Sequence, residues 1–507
     1  MVKNERSFRV VLFAVLVATC AQLFRYRDES FAIDDAWISF RIARNWIAGD
    51  GLTFNAGEAP VEGMTNLLWT LLSGLWIGMA PNLDPIIGAR IVGGLCLLVT
   101  VVVLLRLSVF SALRLGGDPV WAAVGSGCVI AASGSLAYHS ISGLETSLWG
   151  LLFVLGLSFA CRAVEGSGRW FVASGLAFGM LAATRPEGVL VGVIMAVAAL
   201  RFVGKPAFRA VLVFSLVVAV MQVFRLGYYG ELVPNTFYAK PPNAGSGLEY
   251  GADFVIYGLG GLGLWLFVAA ARCSAPYRWL VALCFILSAG AVWSGGDWMM
   301  GHRRFTLVLW SASLLAGVLM ARNETRLSGV IGCAGCVVGP IVFAWLNPLA
   351  GQIDVHVLED IAEQANQDGV ESVALVDIGR FGWTFDGEIF DMVGLTDRTI
   401  ARQPGVVNEK KWDEEYFRSK SPDLLLIRSQ TKIRDPLEQM PVIGHPDVNA
   451  LRSVLDHGDY HWRAVESFGP NRHILIFARN ELALRNSVWG PTPERDLREL
   501  LIEFRER

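Results

Sequence analysis

Apolar runs recur along the chain from Phe8 to Leu346 and then stop. Eleven of them read as crossings of a bilayer core of about 30 Å: residues 8–24, 86–108, 119–137, 146–163, 170–183, 187–203, 209–227, 254–272, 279–294, 305–321 and 329–346. From Gly351 the periodicity changes. HVLEDIAEQANQ has helical spacing, while VALVDIG, EIFDMVG, DLLLIRS and HILIFARN read as strands. PERDLRELLIEFRER, from Pro493, reads as a charged amphipathic helix. The expected architecture is an α-helical polytopic membrane domain at 1–348, with its first outer loop at 25–85. A soluble α/β domain follows at 349–507. Asp377, Asp391 and Asp397 fall at or just after strands, where α/β domains place ligand contacts, although turn and capping roles are the simpler reading.

The loops alternate in character. Arg106 and Arg114, Arg162 and Arg169, the trio Arg201, Lys205 and Arg209, Arg272 and Arg278, and Arg322 and Arg326 mark short basic loops. The positive-inside rule makes these cytoplasmic, together with the basic N-terminus. The other loops, and the C-terminal domain with them, then face outward. The first run is followed by Arg25 and Arg27 without a small-residue cleavage site, so it reads as an uncleaved span. One segment breaks the alternation if it spans: TNLLWTLLSGLWIGMA, Thr65 to Ala80. It is expected to lie along the outer interface or to re-enter, with Trp69 and Trp76 as anchors.

Composition agrees with this picture. The chain is 53% hydrophobic and only 18% charged, against roughly a quarter charged for soluble domains. A net charge of −3 gives no reason to expect a nucleic-acid partner. All eight cysteines lie between Cys20 and Cys336, and the CxxC at Cys333 and Cys336 sits inside an apolar run, so it reads as helix packing.

The candidate chemistry is in the outward loops. In DDAWISFRIARNWIAG, Ile38, Ile42, Trp46 and Ile47 recur at helical spacing, while Arg41, Arg44 and Asn45 fall on other faces. This predicts a short amphipathic helix on the membrane surface with Asp34 and Asp35 at its start. The pair either caps that helix or does chemistry. Five further loops supply polar clusters beside apolar runs. VEGMTN has Glu62, Thr65 and Asn66, and SISGLET has Glu145. ATRPEG has Arg185 and Glu187, VPNTFYAK has Asn235, Tyr238 and Lys240, and GGDWMMGHRRF has Asp297, His302, Arg303 and Arg304. Carboxylates serve proton transfer, Arg and Lys hold phosphate, and amides and Tyr meet hydroxyls. Nucleotide-activated donors are cytoplasmic, so an outward-facing transferase needs one carried across the membrane. A sugar on a polyprenyl phosphate satisfies that need.

The ordered set DDAWISFRIARNWIAGDGLTFN, VEGMTNLLW, SGLETSLW, TRPEGVL, GELVPNTFYAK, GGDWM with RRF, and DMVGLTD resembles the GT-C fold, polyprenyl-phosphate-dependent glycosyltransferases over nearly the whole chain. The subgroup is the arabinofuranosyltransferases similar to the mycobacterial terminal β-arabinofuranosyltransferase and the pilin arabinosyltransferase. The resemblance implies a GT-C domain of about 11 spans, with interfacial helices near 36–49 and 65–80. It implies catalysis by Asp34 and Asp35 at the acceptor hydroxyl, with loss of either abolishing transfer. Arg185, Lys240, Arg303 and Arg304 become candidates for the donor phosphate, Lys240 and Arg304 foremost. Arg41, Glu62, Glu145, Glu187, Asn235, Tyr238, Asp297 and His302 become candidates for the sugar or acceptor. Some members use a divalent cation, which Asp34, Asp35 and Asp297 would hold as Mg²⁺, Mn²⁺ or Ca²⁺ through oxygen ligands. The expected partners are a polyprenyl-linked sugar, a glycan or protein acceptor such as pilin, and membrane lipid, at a bacterial inner membrane.

A transporter or flippase for the lipid-linked sugar is the main rival. Transporters place polar sites near the bilayer midplane, often within internal repeats, whereas these ionisable residues gather at one face and no repeat is visible. A non-catalytic assembly protein is the other rival, in which Asp34→Asn leaves every activity intact.

Overall fold

The computed structural model describes residues 2–26, 33–166, 168–346, 355–407, 410–429, 445–469 and 472–480. Among the described residues, seven helices are long and apolar enough to cross a membrane, within Glu5–Arg25, Pro85–Arg114, Thr146–Ala163, Lys205–Tyr229, Ala275–Trp293, Arg303–Ala321 and Arg326–Ala344. The other four expected spans differ from straight full-length helices. Residues 119–137 form a pair, Pro119–Ala132 and Gly134–Ile141, bent by 59° at Ser133. Gly168–Thr184 and Glu187–Val203 are 17 residues each, about 25 Å long. Residues 254–272 are not one helix. The GLGGLG run breaks them into a π turn, Phe254–Gly258, left-handed glycines at 260 and 261, and a helix at Leu264–Ala271. That break lets Gly260 and Gly263 touch the backbone of Gly335 and Gly339 in the Arg326–Leu346 helix.

Small residues organise the bundle. Every residue of the Thr306–Ala321 helix is buried, and Gly317 leaves room for Ser108, Ser126 and the Ala122 carbonyl. Ser126 and Ser313 each donate to the other's carbonyl at 2.9 Å, the close approach that small residues permit between membrane helices. Cys333 and Cys336 are buried and free in this packing.

The C-terminal domain holds one five-stranded sheet: β1 Ser372–Leu375, β2 Glu388–Asp391, β3 Leu424–Ser429, β4 Tyr460–Gly469 and β5 Arg472–Arg479. The order is β2-β1-β3-β5-β4. β1 pairs in parallel with β2 and β3, while β5 runs antiparallel to β3 and β4. β4 escapes the sequence reading because YHWRAVESFG has no aliphatic run and its register slips twice against β5. The segment from Pro493 lies outside the described residues.

The helix Asp34–Ala48 is where the two parts meet. Trp37, Phe40 and Ala43 pack into the bundle core, and Ile38 and Ile42 pack into the core of the C-terminal domain. The amphipathic pattern therefore reports burial between two protein surfaces, not a helix resting on lipid. Leu67–Met79, at 13 residues or about 20 Å, is too short to span, as expected for a break in the alternation. Trp69 is fully buried and donates to the Gly143 carbonyl at 2.9 Å, so it is a packing residue instead of an interfacial anchor.

Candidate active site

Asp34 and Asp35 occupy the first turn of their helix, but neither caps it; the cap position is Ile33 and has no side-chain cap. Successive helical residues point about 100° apart, and the two carboxylates face different surroundings. Asp34 accepts backbone N–H bonds from Gly379 at 2.9 Å and Arg380 at 2.8 Å, both at the start of the C-terminal domain helix Ile378–Thr384. Burial and the neighbouring Asp377 charge push its carboxyl up to about 7, against the pull of those two donors.

Asp35 is half-buried and has no hydrogen-bond or ion-pair partner among the described residues. It lies within electrostatic reach of Lys240, Arg303, Asp297 and Asp377. Burial raises its carboxyl above the ordinary range, and the attraction of Lys240 and Arg303 only partly offsets that. Lys240 is exposed at the end of the short helix Asn235–Ala239, and its ammonium likewise has no partner among the described residues.

The remaining cations are held by acids. Arg303 pairs with Asp297 through two contacts, at 2.9 and 2.8 Å. Arg185 bonds Glu145 at 2.9 Å and approaches Glu187 at 3.4 Å, with its guanidinium 5.1 Å above the Trp149 ring. Arg304 reaches Glu187 and the Gly296 carbonyl, both at 3.0 Å. Asn66 donates to the other oxygen of Glu145 at 2.9 Å. Left-handed backbone at Gly295, Gly296, Gly301 and His302 folds the 294–302 loop so that Asp297 returns to Arg303. Burial acts to raise Asp297, but Arg303, Arg185 and Lys240 outweigh it and hold that carboxyl low. Asp35, Glu145, Arg185, Glu187, Lys240, Asp297, Arg303 and Arg304 thus form one connected charged cluster.

His302 does not join it. It is buried among Tyr250, Phe254 and Phe343, and burial takes its ring down to about 4, so it is neutral at ordinary pH. It lines a cavity of about 350 Å³ on the other side of the same loop, with Ser133, Tyr138, Tyr257 and Pro340.

Four expected sugar ligands are engaged elsewhere. Glu62 accepts a bidentate pair from Arg225, at 2.6 and 3.0 Å, with both side chains buried. Asn235 donates to the carbonyls of Gly394, at 2.9 Å, Leu395, at 3.0 Å, and Asp397, at 3.2 Å. Tyr238 lies under the Arg402 guanidinium at 4.5 Å, and its carbonyl accepts from Lys410 at 2.8 Å. Arg41, 3% exposed, donates to the carbonyls of Phe54 and Phe385, both at 2.7 Å, of Gly387 at 2.9 Å, and of Gly382. Arg41, Asn235 and Tyr238 therefore dock the C-terminal domain. Asp391 and Asp397 are a turn residue and a helix cap. Asp377 pairs with Arg428 at 3.1 Å; Arg225, Arg380 and Arg428 are not singled out by the sequence, and a lone Arg inside the apolar run MQVFRLGYY is the available signal for the first.

No group of three or more His, Cys, Asp or Glu side chains is gathered as a metal site among the described residues. With Asp34 turned to Gly379 and Arg380, and Asp297 paired with Arg303, the three aspartates expected around a cation do not converge.

ArnT from Cupriavidus metallidurans bound to undecaprenyl phosphate aligns at a TM-score of 0.58 and 12% identity, over 95% of this chain and 98% of that one. The apo form aligns at 0.57 and 13%, over 93% and 98%. The chain is accordingly a multi-pass membrane protein of the GT-C fold with a small C-terminal α/β domain. In sequence it is 31% identical over 231 residues to the terminal β-(1→2)-arabinofuranosyltransferase of Mycobacterium tuberculosis, covering 41% of this chain and 34% of the relative. The Corynebacterium glutamicum protein of the same name is 30% identical over 299 residues, covering 51% and 38%. The aligned segments span little more than a third of either relative's length. Residues 350–484 match a family described as a domain of unknown function, DUF8728.

Proposed function

We propose that the protein is a membrane glycosyltransferase that moves a sugar, D-arabinofuranose by the name of the relatives above, from a polyprenyl phosphate to a hydroxyl of a cell-envelope glycan or a surface protein such as pilin. The observation that carries this reading is Asp35: a half-buried carboxylate of raised proton affinity, within electrostatic reach of the Lys240 ammonium, neither of them with a hydrogen-bond or ion-pair partner among the described residues. In the proposed step Asp35 takes the proton of the acceptor hydroxyl as its oxygen bonds to the anomeric carbon. The bond from that carbon to the phosphate oxygen breaks, and polyprenyl phosphate leaves with the electron pair. Lys240 and Arg303 neutralise the leaving phosphate, with Arg185 and Arg304 behind them. Asn66, Glu145, Glu187 and Asp297 keep those cations in place. The relatives' name supports arabinofuranose, and the undecaprenyl phosphate bound by ArnT, a protein of the same fold, supports a polyprenyl donor. The short basic loops support a plasma-membrane orientation with the charged cluster and C-terminal domain outside the cytoplasm.

The test uses purified protein with synthetic polyprenyl-phosphoryl-β-D-arabinofuranose and a panel of arabinan oligosaccharides and pilin peptides. Transfer by the wild type, absent in Asp35→Asn, is expected. Donor that neither binds nor reacts would overturn the arabinose assignment first. Release of donor across vesicles without transfer would favour the transporter.

A further inference from the structure

The C-terminal domain touches the Asp34–Ala48 helix in a specific way. Its short helix Ile378–Thr384 is gripped at both ends. At the N-terminus, Asp34 takes the N–H groups of Gly379 and Arg380. At the C-terminus, Arg41 takes the carbonyls of Gly382, Phe385 and Gly387. An anion therefore sits where a helix presents unpaired N–H groups and a cation where it presents unpaired carbonyls, the favourable sense at each end. Asp34 and Arg41 are seven residues apart, a rise of about 10 Å, and the gripped helix is itself seven residues long.

Neighbouring contacts fix the angle of the grip. Arg44 donates to the Trp383 carbonyl at 2.7 Å with its guanidinium 4.8 Å over the Trp383 ring. Arg380 lies 3.9 Å over the Trp37 ring and pairs with Asp84 at 3.2 Å and Glu359 at 2.5 Å. Seen from the other side, the fit is equally tight: a Cβ placed on Gly379 would lie 1.9 Å from the Asp34 carbonyl oxygen and 2.6 Å from its carboxylate.

From this geometry we propose that the C-terminal domain is a clamp that positions Asp35: by fixing Asp34 and Arg41 it sets where the next carboxylate along the helix stands in the charged cluster. Asp34 is then a positioning residue and Asp35 the catalytic one. This divides roles that a paired acidic motif would share. It also gives the region matched by the family of unknown function a task in the reaction. The inference rests on the proposed transferase reading, since positioning matters only if Asp35 acts on a substrate.

Two variants approach the clamp from opposite sides. Asp34→Ala removes the acceptor from the membrane domain, and Gly379→Ala inserts a methyl from the C-terminal domain at a position where alanine suits a helix. Both are expected to lower kcat for transfer roughly 10- to 100-fold, with KM for the lipid donor within about twofold, because about 1 Å of misplacement costs on that order. Asp34→Asn keeps one acceptor oxygen but turns its NH2 toward the other N–H, so it should recover only part of the lost kcat, whereas Asp35→Asn should recover none. Backbone hydrogen exchange supplies a readout independent of activity: peptides covering 379–385 should lose protection in Asp34→Ala and Gly379→Ala. Wild-type kcat in both variants would overturn the proposal, as would unchanged protection, or a loss falling on donor KM instead of kcat. If the wild-type protein transfers no sugar, the reading of function fails, and the exchange measurement still decides whether the grip exists.

Discussion

Asp35→Asn should change activity and stability in opposite directions. The carboxylate is half-buried, without a partner, and raised in proton affinity by burial. A group whose folded pKa is raised contributes stability that is full below its unfolded value and lost as pH rises through the folded value. Above that value the fold carries an ionised Asp35 that it would hold better neutral. The amide is close in shape and uncharged, so the variant is expected to melt higher than wild type at pH 8, with the difference vanishing near pH 4. Activity goes the other way. Loss of a positioned general base costs about 10²–10⁴ in rate, or roughly 3–5 kcal/mol of barrier. The assays are single-turnover transfer from the lipid-linked donor and thermal melting in the same detergent across pH 4–8. A variant that loses activity and also melts lower would refute the reasoning, because Asp35 would then be holding structure.

The pH profile of wild-type transfer should show an acid limb above the ordinary aspartate range, rising as Asp35 ionises. Asp377→Asn removes a like charge acting on Asp35 and should move that limb to lower pH in a rate-versus-pH series. Glu62→Gln breaks a buried bidentate pair and leaves Arg225 without its acid, so it should cost about 3–5 kcal/mol of stability in melting or denaturant titration while leaving donor KM unchanged. Lys240→Met removes a cation held by no acid and should weaken binding of polyprenyl phosphate about 10- to 100-fold in a titration, with little effect on melting.

Much of the architecture was legible because bilayer-spanning helices announce themselves by length and apolarity. The failures have physical causes. The 254–272 segment is apolar enough to span, but six-residue runs such as GLGGLG carry too little helix propensity to stay straight, and the glycines serve contact with Gly335 and Gly339 instead. The Asp34–Ala48 helix has an amphipathic pattern that lipid and a second protein surface explain equally well; the packing of Ile38 and Ile42 in the core of the C-terminal domain separates them. The charged cluster was legible as residue types in five loops. Which of them meet was not, since Arg41 carries the same charge as Lys240 and Arg304, and Glu62 the same as Glu145 and Glu187, and they differ only in what they touch.

The same limit applies most sharply to the acidic pair. Two adjacent aspartates look equivalent along a sequence, yet on a helix they are separated by about 100° and seldom share an environment. Here one faces backbone N–H groups of another domain and the other faces cations from loops far apart in the chain. A carboxylate bound by two N–H donors, one to each oxygen, has its orientation fixed, which suits it to hold a neighbouring element in place. A carboxylate without partners has the reverse properties, and keeping it unpaired in a half-buried site requires that something else fix its backbone. Asp34 meets that requirement for Asp35 from one residue away, so the adjacency of the pair follows from a division of labour and needs no shared catalytic role.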